Sequence, residues 1–197
     1  MTRILLLALL LAGPLSAQTL FLVSPNYCAV GEGASNNVWP FASYDKWTYQ
    51  QVHDDLTGRP RMISQLCFRG DGYYGDNPQP TTLSLTLRLS STTVTSATAT
   101  GVFASNHGAD LTEVLTAATV NWSAPPSPPL HPRLFLFPLS FPAKPFLYKN
   151  TPGLCWEVRI HSRSGNPDNF DSAGPNQYPA YGMFGTGCLA SGQTKTG

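Results

Sequence analysis

The sequence predicts an all-β protein: an antiparallel β-sandwich, jelly-roll-like, with about eight to ten strands. Three observations predict it. Leu83, Leu85, Leu87 and Leu89 alternate with Ser84, Thr86, Arg88 and Ser90 over a full strand length, the period of two expected when one face is buried and the other is wet. Eighteen prolines and seventeen glycines divide the 197 residues into short segments with frequent turn signals. Beyond the amino terminus no stretch repeats at helical spacing, and the Glu, Lys and Ala content that favours long helices is low.

Taken in order, the chain opens with Arg3, an unbroken apolar run from Ile4 to Ala12, a Gly13-Pro14 break and the small residues Leu15-Ser16-Ala17. Basic, apolar and small residues in that order read as a secretory signal over 1–17, cleaved before Gln18. The apolar run is about nine residues, against the ~20 a bilayer span needs, so no stable membrane insertion is expected after cleavage. Residues 18–184 read as a single sandwich domain and 185–197 as a Gly/Cys-containing tail. Strands are expected over Trp47–His53, Ile63–Arg69, Leu83–Ser90, Thr98–Ala104, Val114–Trp122, Arg133–Phe137 and Leu154–Ile160, with shorter candidates at Leu20–Val23 and Phe146–Tyr148. Turn chemistry separates them at Gly31–Gly33, Thr57–Pro60, Gly70–Pro80, Asn106–Gly108, Pro125–Pro132 and Gly165–Pro179. The proline-rich segment 125–132 reads as a stiff loop inside one domain, because strand-like segments on its far side need partners. Leu83, Leu85, Leu87, Leu89, Leu154, Trp156 and Val158 form the expected core.

Charged residues make up 12% of the chain, twelve Lys and Arg against eleven Asp and Glu, where about 25% is usual. A neutral, charge-poor surface argues against nucleic acid, which needs clustered cations to meet phosphate, and against docking on anionic membranes. Four cysteines, Cys28, Cys67, Cys155 and Cys188, read as two disulfides in an oxidising compartment, with three connectivities open. No CxxC pair occurs and the histidines are scattered, so no metal site is expected from them. Cys67 shares a strand face with Ile63, Gln65 and Arg69, and Cys155 shares one with Glu157 and Arg159. Two cysteines that each interrupt a polar face suggest cross-strand neighbours, hence 67–155 and, near the two ends, 28–188.

Several segments in order carry a resemblance. Glu32-Gly-Ala-Ser-Asn-Asn-Val-Trp-Pro-Phe41, Tyr49-Gln-Gln-Val-His-Asp54, Ile63-Ser-Gln-Leu-Cys-Phe-Arg69, Phe103-Ala-Ser-Asn-His-Gly-Ala-Asp110, Pro145-Phe-Leu-Tyr148 and Leu154-Cys-Trp-Glu-Val-Arg159 resemble the segments of a family of uncharacterised secreted proteins, mostly of planctomycete-like bacteria. The resemblance covers roughly residues 27–172 and implies a secreted β-domain without a transferable activity. Cys67 and Cys155 stand where that family has other residues, a paired departure that favours a bond between them. Phe184-Gly-Thr-Gly-Cys188 is similar to a segment that often opens a further module in such proteins.

No G-x-S-x-G elbow, Walker loop, H-E-x-x-H or Rossmann glycine pattern is present, so no catalytic residue and no cofactor is assigned. Asp54, Asp55 and Glu157 are strand-borne acids that a glycoside hydrolase or lyase would need as a facing pair. The four histidines read as surface residues. Tyr73 and Tyr74, flanked by glycines, are the candidate ligand-binding residues, as a stacking platform for sugar rings. Asp71 and Asp76, or Asn166, Asp168 and Asp171, offer oxygen ligands for calcium without matching a known loop spacing. Arg69-Gly70-Asp71 is a chance adhesion tripeptide. Asn121-Trp122-Ser123 is a glycosylation acceptor only in a eukaryotic host. The expectation is a secreted, periplasmic or extracellular, non-catalytic module that binds a glycan or cell-envelope component. The alternatives are a structural cell-surface or matrix protein, and a secreted hydrolase or lyase with carboxylates at its rim.

Overall fold

The structure, a computed structural model, describes residues 21–24, 35–37, 40–41, 46–70, 79–124, 134–167, 170–172, 188–189 and 193–194. The leader 1–17, Cys28, Asp71, Tyr73, Tyr74, Asp76 and Asp168 lie outside the described residues.

The described chain is all-β and antiparallel. In chain order the strands are β1 (Ser35–Asn37), β2 (Trp47–His53), β3 (Arg61–Ile63), β4 (Gln65–Arg69), β5 (Thr81–Thr92), β6 (Thr112–Trp122), β7 (Phe135–Ser140), β8 (Phe146–Tyr148), β9 (Gly153–Ser164), β10 (Phe170–Ser172), β11 (Cys188–Leu189) and β12 (Gln193–Thr194), with one helical turn, α1 (Phe103–Asn106), between β5 and β6. Four strands form the main sheet in the order β2-β9-β5-β6. Its two central strands run twelve residues each. The second layer is built from the pairs β3-β8 and β4-β7, with β1-β10 beside them through a bridge from Gly70 to Phe170. A single residue, Ser64, separates β3 from β4, and its carbonyl accepts a bond from the Phe141 amide at 2.8 Å.

Period-two patterning explains why the layers stack. Leu83, Leu85, Leu87 and Leu89 are completely buried, and Leu154, Trp156, Val158 and Ile160 of β9 join them. Their cross-strand register sets Leu87 against Val158 on one side and Leu115 on the other. Each such side chain contributes about 1.5–3 kcal/mol of burial. From the second layer Leu66, Phe68, Phe137 and Leu139 face the same interior. Edge-to-face aromatic contacts join the layers, Phe68 to Trp156 at 5.5 Å and Trp122 to Phe137 at 5.2 Å between ring centroids. The Trp122 indole also donates to the Pro138 carbonyl at 2.9 Å, so its one polar atom is satisfied within the core.

Three expectations are corrected. Thr98–Ala104 is not a strand: residues 96–98 turn, and the segment runs into α1. Asn106 is the cause, since its side-chain oxygen accepts from the Thr100 amide and its amide group donates to the Thr100 carbonyl, closing a local loop that competes with pairing. The outer face of β5 is wet only in part: Ser84 and Arg88 are half-buried, whereas Thr86 is buried against Ala117 and His161, and Ser90 and Thr92 are buried where the β5–β6 connection folds back. Two glycines permit that close cover. A Cβ on Gly108 would sit 1.8 Å from the Ser91 carbonyl oxygen, and one on Gly153 would sit 2.3 Å from that of Val94.

The third correction concerns the cysteines. Cys67 and Cys155 are thiols, not bonded to each other. On β4 the inward residues are Leu66 and Phe68, so Cys67 points out of the second layer. On β9 the inward residues are Leu154 and Trp156, so Cys155 points out of the main sheet on the opposite side of the sandwich. The whole core lies between them. The Cys67 thiol instead donates to the Phe135 carbonyl at 3.2 Å, and burial pushes its pKa up. Cys188 lies in β11, paired with β12.

Candidate functional site

The main sheet carries a transverse row of polar residues on its outer face, one from each strand. Register places Gln50 of β2 opposite Glu157 of β9, Glu157 opposite Arg88 of β5, and Arg88 opposite Glu113 of β6. Arg88 bridges the two acids, with Nε to Glu113 at 3.1 Å and Nη1 to Glu157 at 3.3 Å. The Thr116 hydroxyl, and then Arg88, hold the Glu113 carboxyl below the usual carboxylate range.

The β5–β6 connection presses Asn106 and His107 onto this row. Asn106 donates to the Gln50 side-chain oxygen at 2.7 Å, and the Gln50 amide group donates to the Phe103 carbonyl at 3.0 Å and to Glu157 at 3.2 Å. His107 Nδ1 lies 2.8 Å from Ser90 Oγ, and its Nε2 lies 3.2 Å from Glu157 Oε2. Ser90, His107 and Glu157 therefore make a hydroxyl–imidazole–carboxylate chain like that of acyl-transfer enzymes. It cannot work as one, because Ser90 is 0% exposed and its oxygen already accepts the Gly108 amide at 3.2 Å. No substrate carbonyl reaches that oxygen without removal of the connection.

A second hydroxyl–imidazole–carboxylate group stands at the end of β2. Ser24 Oγ lies 2.6 Å from His53 Nδ1 and donates to Asp55, while the Trp156 indole donates to His53 Nε2 at 3.0 Å. An indole N–H only donates, so His53 Nε2 must accept and neutral His53 carries its proton on Nδ1. That tautomer donates to Ser24 and cannot take its proton. Burial lowers the His53 pKa, against the opposing pull of Asp55 and Asp54. The arrangement holds a hydroxyl in place and does not activate it.

The sequence-derived acids do not converge. Asp54 accepts the Ser96 amide at 2.9 Å and the Ser96 hydroxyl at 2.6 Å, capping the turn that starts the β5–β6 connection. Asp55 takes the Ser24 hydroxyl, and Glu157 lies in the middle of the outer face of the sheet. His53 and His107 are corrected from surface residues to members of hydrogen-bonded clusters, the His107 side chain being 5% exposed. His161 is half-buried against the Thr86 hydroxyl at 2.9 Å. Asp171 belongs to β10, opposite Asn36. Among the described residues no three His, Cys, Asp or Glu side chains are grouped to hold a metal ion, and no helix is long and apolar enough to cross a membrane.

Sequence reasoning did not single out Gln50, Arg88, Ser90, Asn106 or His107. Its one available signal is the Asn106-His107-Gly108 segment, which reads as a turn with His107 at the surface.

No protein-family model matches the chain, and neither a curated protein nor a solved structure matches it. Among the described residues, the Ser90–His107–Glu157 and Ser24–His53–Asp55 groups of this all-β sandwich are each engaged with partners inside the fold.

Proposed function

We propose that the chain is a secreted, non-catalytic extracellular module that binds a glycan or cell-envelope component. The observation that carries this reading is the closure of the two hydroxyl–imidazole–carboxylate groups among the described residues. Ser90 is sealed beneath His107, His53 is held in the tautomer that cannot deprotonate Ser24, and Asp54, Asp55 and Glu157 are each engaged by neighbours within the fold. An enzyme needs at least one such group open to substrate. Support for export comes from the order of basic, apolar and small residues over 1–17. The segments that resemble the secreted planctomycete-like family contribute Gln50, Asn106, His107 and Glu157 to the same cluster, so that likeness concerns how the module is built. Binding falls to Tyr73 and Tyr74, whose rings would stack on sugars.

The test uses secreted chain, whose amino terminus should be Gln18 by mass spectrometry. It is applied to a glycan array and to insoluble envelope material, beside chromogenic ester and glycoside substrates. Retention on a glycan or envelope fraction, weakened about tenfold or more by Tyr73→Ala with Tyr74→Ala and unaccompanied by turnover, is the expected result. Turnover of an ester or glycoside that Glu157→Gln abolishes in a folded protein would overturn it.

A further inference from the structure

We propose that Ser24, His53 and Trp156 form a proton-released clasp that holds the amino-terminal segment against the end of the sandwich above neutral pH and lets it go in acid. The geometry is a directional chain. Trp156 on β9 donates to His53 Nε2 at 3.0 Å, His53 Nδ1–H donates to Ser24 Oγ at 2.6 Å, and the Ser24 hydroxyl donates to Asp55. Direction is fixed at one end by an indole that only donates and at the other by a carboxylate that, ionised, only accepts. Residues Phe21 and Leu22 are 76% and 49% exposed, so burial of their side chains does little to hold the segment down. Among the described residues its polar tie to the fold is the Ser24 hydroxyl.

One proton breaks the chain. On an imidazolium, Nε2 becomes a donor facing the indole N–H, two donors with no acceptor between them. The ring has to turn or withdraw, Nδ1–H then leaves Ser24, and of the three bonds in the chain only the one from Ser24 to Asp55 remains, which no longer fixes the segment against the ring. The charged and titratable groups around the ring are Asp54 and Asp55, which follow β2. On the far side of Asp55 stand Tyr148 and, near it, Arg61 of the β3-β8 pair. Asp54 is itself occupied by Ser96. The acids favour the imidazolium, yet burial outweighs them and sets the His53 pKa below its ordinary value of 6.5. The sign follows: a released His53 takes its proton near 6.5, the clasped one only at lower pH. The clasp is therefore fully present above 6.5 and is lost as pH falls from there through the clasped pKa.

Nitrogen NMR of the secreted chain reads the proposal directly. His53 should be the Nδ1–H tautomer at pH 7.5 and titrate with a midpoint below 6.5. Over that same midpoint the Ser24 amide order parameter should fall from about 0.85, rigid, to below about 0.6, flexible, while near-ultraviolet circular dichroism stays native. His53→Asn retains a donor at the Nδ1 position without a titration, so its Ser24 should stay ordered across the range. An Nε2–H tautomer at pH 7.5, a Ser24 order parameter unchanged through the His53 titration, or loss of order only together with global unfolding would each overturn the clasp. The same acid release in His53→Asn would assign the proton to Asp55 and overturn it too.

Discussion

Truncating Glu157 to alanine should unfold much of what the polar row holds. Glu157 is 6% exposed, and its carboxylate takes hydrogen bonds from Gln50 and Arg88 and lies 3.2 Å from His107 Nε2. Removing it leaves the Gln50 amide group with the Phe103 carbonyl and leaves His107 Nε2 with no acid, both under the β5–β6 connection. A buried polar group abandoned by its partner costs about 1–3 kcal/mol, and Gln50 and His107 each lose one. The Arg88 bond adds little, because that side chain is 38% exposed and keeps Glu113. Glu157→Ala should therefore lose about 2–6 kcal/mol, a large part of the roughly 5–15 kcal/mol a domain has. At about 2–4 °C per kcal/mol for a chain of this size, Tm falls by roughly 4–24 °C. Urea titration with an unchanged m-value measures it. Coupled with His107→Ala in a double-mutant cycle, the two losses should fall short of additivity by more than about 0.5 kcal/mol. A loss below about 1 kcal/mol, or strict additivity, would refute the network as the element that fastens the connection.

Other perturbations address separate features. Gly108→Ala brings a Cβ to 1.8 Å from the Ser91 carbonyl, and should cost about 1–3 kcal/mol as an overpacked contact; a wild-type urea midpoint would show that the connection has room to lift. Ala117 sits at φ 44° in the β6 bulge, where pairing with β5 skips from Leu85 to Leu87. Ala117→Gly should be neutral or stabilising and Ala117→Val destabilising by about 1–2 kcal/mol, and the reverse order of Tm would place the strain elsewhere. Unreduced peptide mapping should yield no peptide joining Cys67 to Cys155, and finding one would mean that the outward faces of β4 and β9 have been misassigned. Leu87→Asp puts a charge in a site with no exposure and should leave no cooperative unfolding transition, whereas a folded variant would reverse the two faces of β5.

The strand faces were legible because burial on one side leaves a local signature. Leu83 to Leu89 alternate, and all four leucines are buried; Trp47–His53 appears with the bounds expected of it. What covers the other face was not legible, because Ser, Thr and Arg suit water and a polar lid equally well. The lid follows β5 directly, but the contacts that fasten it, Gln50 with Asn106 and His107 with Glu157, span 56 and 50 residues. The cysteine pairing failed for a related reason. Alternation correctly told which face of its own strand each cysteine occupies, but a strand's parity says nothing about the layer it joins. Cys155 stands opposite Val52 and Ser90 in the main sheet, while Cys67 stands opposite Pro138 in the other.

The same locality argument explains why the fold keeps a buried polar row where an apolar one would serve stability as well. Between β5 and β9 the inner face is Leu85, Leu87 and Leu89 against Ile160, Val158 and Trp156. Slipping β9 by two residues still sets apolar side chains against apolar ones, so the core alone discriminates that slip weakly. The outer row discriminates it strongly. One direction of slip brings Arg159 opposite Arg88, two like charges under a lid; the other brings Cys155 there and carries Glu157 out from beneath His107. Either slip strands the Gln50 and His107 donors as well. Leucines supply the energy that joins the strands, and Gln50, Arg88, His107 and Glu157 select the one register in which the β5–β6 connection closes over the sheet.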